Sequence, residues 1–238
     1  MSLPAGRGPE AGGNRNFEGH PLLEQVQRHE GVSTYLTLAD QFLGEEGYTE
    51  HGFRHAKLVA HIAFNVLHLL GFEDHLAELA AVAGYLHDIG NVVSRDGHAL
   101  SSAMVAFQIM TELGWPAEDI GQVLGAIGNH EEESGQAISP VAAAVILADK
   151  SDVHESRVRK AEHLEFDIHD RVNFATQRSF LRVDAEAKTL TLELEIDVSI
   201  SQVIEYFEIF LDRMMMCRRA AKALGAQFHL TVNGNALL

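Results

Sequence analysis

The sequence contains little cysteine and no long apolar run, and each shortage excludes a class of protein. Its single cysteine, Cys217, excludes an intramolecular disulfide and is typical of a reducing compartment, so we expect a cytoplasmic protein. No run of about 18 or more apolar residues occurs, and no signal-peptide pattern is found. These features predict a soluble chain with no membrane partner.

Positive charge is also scarce. The chain has 18 lysines and arginines against 34 aspartates and glutamates, which gives a formal net charge of −16. This balance argues against a broad basic face and therefore against a nucleic acid polymer as partner. A small phosphorylated substrate remains compatible if compact positive charge lies in the site. What the chain has in excess is histidine, with 14 residues, which hints at metal.

The apolar pattern divides the chain into a leader, a helical region and a C-terminal module. Residues 1–20 hold five glycines and two prolines without an apolar period, which predicts a flexible leader. Residues 21–166 are helical in pattern, with proline at helix starts and glycine at helix ends. The predicted helices are Pro21–Leu43, Thr49–Leu70, Asp74–Ile89, His98–Leu113, Pro116–His130 and one opened by Ser139 and Pro140.

Residues 167–238 change to a strand pattern. "RSFLRVD" and "TLTLELEID" alternate apolar and polar residues, and the intervening "AEAK" predicts a hairpin turn. Ser199 and Gln202 have the spacing of a capping box before a long helix to Leu224, and "FHLTV" predicts a third strand. We expect a ββαβ module with a small antiparallel sheet, covered by its helix or by a partner. Docking or homodimerisation is its expected role.

Isolated polar residues interrupt the apolar stripes of the helical region. Each lies near a helix end and is predicted to point inward. One such histidine is ordinary in a protein core. Here a series of them lies on successive helices, together with a carboxylate that has no lysine or arginine three or four residues away. This combination indicates a shared divalent cation. The series is His55, His87, Asp88, His98, His130 and Asp149.

These residues carry a resemblance to a known superfamily. "HGFRHAKLVA", "YLHDIG", "GHALSS", "AIGNHE" and "ILADKSD" resemble, in order and spacing, the motifs of the HD-domain metal-dependent phosphohydrolases over residues 52–152. The resemblance implies a mainly α fold, an HD-domain helical bundle to which the ββαβ module is appended. It implies His55, His87, Asp88 and Asp149 as ligands of a first metal. In the dinuclear branch His98 and His130 would hold a second, with Asp88 bridging.

The implied chemistry is hydrolysis of a nucleotide or another small phosphoester by a hydroxide that bridges two metals. The donor set favours iron or manganese, with zinc, cobalt or nickel also compatible. Asp88 would be catalytic through its bridging role, and Lys150 would neutralise charge on phosphoryl oxygens. His51 would protonate the leaving oxygen. Arg54 and Arg157, with Lys150, would bind the substrate.

Two features depart from the usual pattern, and two other functions stay open. The motif continues as "HDIGN", with Asn91 where lysine is frequent, and "EEESG" after His130 places three carboxylates near the expected mouth. An HD-type di-iron oxygenase shares the ligand set, and oxygen consumption would distinguish it. A metal-stabilised sensor without turnover is the third hypothesis.

Overall fold

The fold is known from a computed structural model that describes residues 20–132, 135–159 and 167–237. The predicted leader, apart from His20, lies outside the described residues. Within them the helices and strands are α1 (Pro21–Arg28), α2 (Glu30–Glu45), α3 (Phe53–Leu69), α4 (Asp74–Leu86), α5 (His98–Glu112), α6 (Ala117–Gly128), α7 (Pro140–Lys150), α8 (Ile168–Ala175), β1 (Thr176–Asp184), β2 (Thr189–Ile196), α9 (Val203–Ala223), β3 (Gln227–Val232) and β4 (Asn235–Ala236). The predicted fold class, mainly α with a small C-terminal sheet, is confirmed.

The first predicted helix is two helices. His29 has extended backbone angles (φ −71°, ψ 120°), closes α1 through a bond from its N–H to the Val26 carbonyl, and accepts the first bond of α2 from Val32. The apolar period continues on both sides because α1 and α2 each bury a stripe, so periodicity alone does not show the break.

Two glycines bring the helices that carry the polar residues into close contact. Gly90 lies in a 3-10 turn, Ile89–Val92, rather than at the predicted helix end, because α4 already ends at Leu86. A Cβ on Gly90 would lie 2.2 Å from the backbone nitrogen of Ser102, so only glycine lets this turn approach α5. A Cβ on Gly84 would lie 3.1 Å from the backbone nitrogen of Ala60, so glycine here also lets α4 pack closely against α3.

Helix α7 is the centre of the bundle. Every residue from Val141 to Lys150 is buried, and the helix contacts α3, α4, α6 and α9. A helix that is apolar on all sides is stable only when neighbours surround it. Ser139 caps its start by accepting a bond from Ala142 N–H, as the Ser-Pro signal predicts. This central helix delivers Asp149 and Lys150 at its end.

The C-terminal module differs from the prediction in its sheet. The strand order is β1-β2-β3-β4; β1 and β2 form the predicted hairpin, but β3 pairs with β2 in parallel, so the sheet is mixed rather than antiparallel. Parallel pairing follows because α9 crosses over between these strands. The capping box starts at Gln202 and uses Glu205, not Ser199. Strand β4 follows an Asn233-Gly234 turn, and α8 was likewise not predicted.

Helix α9 connects the sheet to the bundle. It contacts β2 and β3 on one side and α7 on the other, so the predicted covering of the sheet by its own helix is confirmed. The buried apolar residues of the bundle and the module form one continuous cluster. The division into domains at residues 166 and 167 stays a prediction. Among the described residues no helix combines the length and the apolar character needed to span a membrane.

Candidate metal centre

The polar side chains that the sequence singles out meet at one end of the bundle. All are buried, and none exposes more than 8% of its surface. Each is delivered by a helix end: His55 by the start of α3, His87 and Asp88 by the end of α4, His98 by the start of α5, His130 by the end of α6 and Asp149 by the end of α7. The ends of five helices therefore lie close together at this site. The ligand roles of these residues stay predictions.

The first half of the cluster is built from His55, His87 and Asp149. The Nε2 atoms of His55 and His87 lie 3.1 Å apart, and Asp149 Oδ1 lies 3.4 Å from the first and 3.5 Å from the second. Donor atoms of these three residues all fall within 4.8 Å of one another, a spacing that suits one metal ion.

The second half is built from His98 and His130. Their Nε2 atoms also lie 3.1 Å apart. Asp88 lies between the two halves and turns one carboxylate oxygen to each. Its Oδ2 is 3.5 Å from His55 Nε2 and 3.3 Å from His87 Nε2, while its Oδ1 is 3.2 Å from His98 Nε2 and 3.8 Å from His130 Nε2. One carboxylate thus faces both pairs of imidazoles.

The hydrogen bonds on the far side of each ring determine which nitrogen is available. The Nδ1 atoms of His87, His98 and His130 face the carbonyl oxygens of Gly84, Arg95 and Ile127, which can only accept, so each Nδ1 carries the proton. His55 Nδ1 faces Asp152 Oδ2 at 2.7 Å. In the neutral rings every Nε2 lone pair therefore points into the cluster. Facing lone pairs 3.1 Å apart require a proton or a metal cation, so these residues fit a metal.

The pKa values of His55 and His87 show that the first half of the cluster favours positive charge. Burial works to lower the pKa of His87, but Asp88 and Asp149 outweigh it and raise that pKa to about 10. Burial and Arg157 act in the same downward sense on His55, whose bonds to Asp149, Asp152 and Asp88 raise its pKa to about 9. Protons thus occupy the place that a cation would take.

The carboxylates and the second half complete this picture. Burial opposes ionisation of Asp88 and Asp149, yet both pKa values are held well below the ordinary range. The main cause is the positive charge of His87 for Asp88 and of Lys150 for Asp149. Burial, with the positive charge of His87 and Lys150, lowers the pKa of His130 to about 3. His130 is therefore neutral at physiological pH, whereas His55 and His87 would have to lose protons to bind a metal.

A cavity of about 520 Å³ opens from Asp88, His98, His130 and Asp149 toward solvent. Its walls carry both charge signs in nearly equal number. The cationic residues are Arg95, Lys150, Arg157 and Arg213, and the carboxylates are Asp88, Asp96, Glu131, Glu132 and Asp149.

Lys150 lies in this cavity, but it is buried and already paired. Its Nζ is 2.6 Å from Asp149 Oδ2 and 3.1 Å from Glu132 Oε1. The partner of the Asp149 carboxylate is thus the adjacent residue, because α7 ends at Lys150 and the flexible side chain folds back. Adjacent helical residues do not normally face each other, so the sequence pattern missed this pair.

His51 and Arg157 form a second pair in the wall. Arg157 Nη2 donates to His51 Nε2 at 2.9 Å, and His51 Nδ1 donates to the Thr49 carbonyl oxygen at 2.7 Å. Burial, together with Arg157, holds the pKa of His51 well below its ordinary value. His51 is therefore neutral with its proton on Nδ1. Its predicted role as the acid for the leaving oxygen stays a prediction, and that role would require Arg157 to leave Nε2 and a proton to bind there first, which the lowered pKa opposes.

Arg54 does not line the cavity. Its guanidinium binds Asp152 through two bonds of 3.2 and 2.8 Å and Glu50 through a third of 2.9 Å. The predicted contact of Arg54 with substrate gains no support from this geometry. Arg54 instead holds Asp152, and Asp152 in turn holds His55.

Asp152 lies in "ILADKSD" but has no predicted role. The residue is 1% exposed, and Arg157 Nη1 also donates to its carbonyl oxygen. Burial opposes its ionisation, but His55 and the two arginines depress its pKa strongly. The spacing of three residues from Asp149 was the available signal.

Changing Asp152 to asparagine is expected to weaken metal binding by about 10-fold to 100-fold, because His55 loses the carboxylate that fixes its tautomer and strengthens its Nε2 donor. Isothermal titration calorimetry with Mn²⁺ measures the change in affinity. Asp74→Asn is the matched control, since Asp74 is an exposed partner of the exposed His68. Equal affinity in Asp152→Asn and Asp74→Asn would contradict a supporting role for Asp152.

Two comparisons with known proteins found similar sequences. The family described as HD domain matches residues 52–153, a segment that contains all six residues of the cluster. Over 161 residues the chain is 31% identical to an uncharacterized protein of Methanocaldococcus jannaschii. The similarity covers 58% of this chain and 61% of that relative. The chain therefore spans less than two thirds of the relative's length, and the relative's name states no activity.

Proposed function

We propose, from the premise that residues 52–153 match the HD-domain family, that the chain is a phosphohydrolase that uses two divalent transition-metal ions to cleave a small phosphoester. The observation that carries the proposal is the position of Asp88, whose two carboxylate oxygens face two separate pairs of imidazole Nε2 atoms. A single-metal site does not require the second pair.

The residues divide between the two ions as follows. His55, His87 and Asp149 would hold the first, His98 and His130 the second, and Asp88 would contribute one oxygen to each. When bound, such a pair of ions polarises a phosphoryl oxygen and lowers the pKa of water. Imidazole and carboxylate donors together favour iron or manganese over magnesium or calcium.

The charge of the cavity supports an anionic substrate. Without metal, the carboxylates that line it slightly outnumber the cationic side chains. Two divalent cations would reverse this balance, so the loaded cavity would attract a phosphate although the whole chain has a formal net charge of −16. Its volume of about 520 Å³ lies in the range of small-molecule sites.

The chain's own residues would orient the phosphoester. The ammonium of Lys150 and the guanidinium of Arg157 lie in the cavity wall and can donate to phosphoryl oxygens. His51 Nε2, by accepting from Arg157, positions that guanidinium. The missing lysine at Asn91 is thereby offset by cations from other segments.

The test is hydrolysis of p-nitrophenyl phosphate and bis-p-nitrophenyl phosphate by protein stripped of metal and then reloaded with Mn²⁺ or, anaerobically, Fe²⁺. We expect nitrophenol release from at least one ester, dependent on metal and unchanged without oxygen. Release that is equal with and without metal, or absent with every metal, would contradict the proposal.

An oxygenase is the second candidate, because a donor set with four imidazoles also suits iron. Oxygen consumption by the iron-loaded protein with a substrate present would favour it over hydrolysis. A metal-stabilised sensor, the third hypothesis, would bind both ions and turn over neither class of substrate.

A further inference from the structure

We propose that Arg213, on α9 of the C-terminal module, binds the phosphate of the substrate, and that Glu132 occupies the position of that phosphate until it arrives. The proposal rests on the proposed function and extends it to the module that the HD-domain match does not cover. It gives residues 167–238 a part in the site beyond docking.

The first observation is that two cations from distant segments meet on one carboxylate oxygen. Lys150 Nζ lies 3.1 Å and Arg213 Nε 2.8 Å from Glu132 Oε1. All three residues line the cavity beside Asp149. Without Glu132 the guanidinium of Arg213 would face the ammonium of Lys150, which would still pair with Asp149, so the position favours an anion.

The second observation is that Arg213 is held in place. Helix α9 contacts α7 and has buried residues that include Phe210, Met214 and Cys217, with Arg213 next to Met214 along the helix. Its guanidinium stacks on the ring of Phe210, 4.5 Å from the centroid, and its side chain is 24% exposed. A pre-ordered guanidinium loses little entropy when it binds a phosphate, which it can contact through two nitrogens.

The third observation is that Glu132 is a replaceable partner. It lies beyond the end of α6, its side chain is 30% exposed, and Oε1 makes its two ion pairs without a well-aligned hydrogen bond. Asp149, by contrast, is fixed between Lys150 and the imidazoles of His55 and His87. A phosphate offers more acceptor oxygens than the carboxylate, so it can displace Glu132 from the two cations.

The proposal predicts opposite effects of two substitutions on the affinity of the metal-loaded protein for inorganic phosphate, measured by isothermal calorimetry. Arg213→Gln should raise the dissociation constant by about 10-fold to 100-fold, because a charged donor is lost. Glu132→Gln should lower it by about tenfold, because the competing anion is removed. Arg218→Gln is the matched control, since Arg218 is exposed on the same helix and does not line the cavity.

Each outcome decides the proposal. Weaker or unchanged phosphate binding in Glu132→Gln would show that Glu132 only holds the cations in place, and would overturn it. Equal effects of Arg213→Gln and Arg218→Gln would show a general charge effect and would also overturn it. Absence of phosphate binding to the unmodified protein, or binding as an adventitious ion that no variant changes, would do the same.

Two further measurements separate folding and function from this result. Metal content should be equal in all variants. If Arg213→Gln is unstable, Arg213→Lys replaces it in the experiment. This variant keeps the charge but loses the planar guanidinium, so it should bind phosphate with an affinity between that of the unmodified protein and that of a variant without the charge. Equal affinity of Arg213→Lys and the unmodified protein would overturn a role for the guanidinium. The nitrophenyl ester assay tests the proposed hydrolysis independently. If the protein hydrolyses the esters but neither substitution changes its affinity for phosphate, the role of Arg213 and Glu132 is refuted and the proposed hydrolysis is not.

Discussion

Replacing Asp88 with alanine is expected to release both metal ions and to reduce hydrolysis by about three orders of magnitude or more. The reason is the position of the carboxylate, whose Oδ2 faces His55 and His87 and whose Oδ1 faces His98 and His130. Loss of this one side chain removes a ligand from each half. It also removes a negative charge that would offset the repulsion between two cations.

His130→Ala is the matched substitution, because His130 Nε2 lies 3.1 Å from His98 Nε2 and is proposed to hold the second ion. We expect this variant to retain about one ion per chain, whereas Asp88→Ala retains none. Elemental mass spectrometry on both proteins gives the stoichiometry, and circular dichroism shows whether each is folded. Retention of both ions in a folded Asp88→Ala protein would refute the bridging assignment.

The pH dependence of stability is expected to differ between the metal-free and the metal-loaded protein. In the metal-free protein the pKa of His55 is raised to about 9 and that of His87 to about 10. A raised pKa in the folded state gives stability that is fully present below the unfolded value of about 6.5 and is lost as pH rises through the folded value. The metal-free protein should therefore lose stability between pH 6.5 and about 10.

The metal-loaded protein should not show this loss, because imidazoles that hold a metal would carry no proton on Nε2. Apparent metal affinity should rise across the same range, by up to about tenfold per pH unit for each proton displaced. The gap between the two melting temperatures should therefore widen as pH increases toward 10. Thermal unfolding at half-unit pH steps, with and without Mn²⁺, measures it.

His68→Gln is the control for this experiment, since His68 is an exposed histidine outside the cluster. It should show the same widening gap as the unmodified protein, whereas His87→Gln should lose most of it. A gap that stays constant from pH 6.5 to 10 would contradict proton displacement by the metal.

The residues of the cluster were predictable from the sequence because each interrupts an apolar stripe near a helix end. A buried polar residue in such a stripe is costly without a partner, and that cost is visible in a single helix. The order of His55, the His87-Asp88 pair, His98, His130 and Asp149 then indicated a common site. The structure brings these side chains together.

Features that arise from tertiary packing were not predictable in this way. Arg213 meets Glu132 only because α9 docks on α7, and nothing in the pattern of α9 distinguishes Arg213 from the exposed Arg218. The parallel pairing of β3 with β2 depends on the path of α9 between them. Asp152 follows the end of α7, where helical periodicity no longer predicts direction, and its bond to His55 joins residues 97 positions apart.

The most direct test of a two-metal centre is the number of metal ions per chain. Protein purified anaerobically, without a histidine tag or a chelator, is analysed by elemental mass spectrometry before and after loading with Mn²⁺ or Fe²⁺. The arrangement of His55, His87, Asp88, His98, His130 and Asp149 predicts about two transition-metal ions per chain. One ion would restrict the centre to a single half, and none after loading would contradict a metal centre at this site.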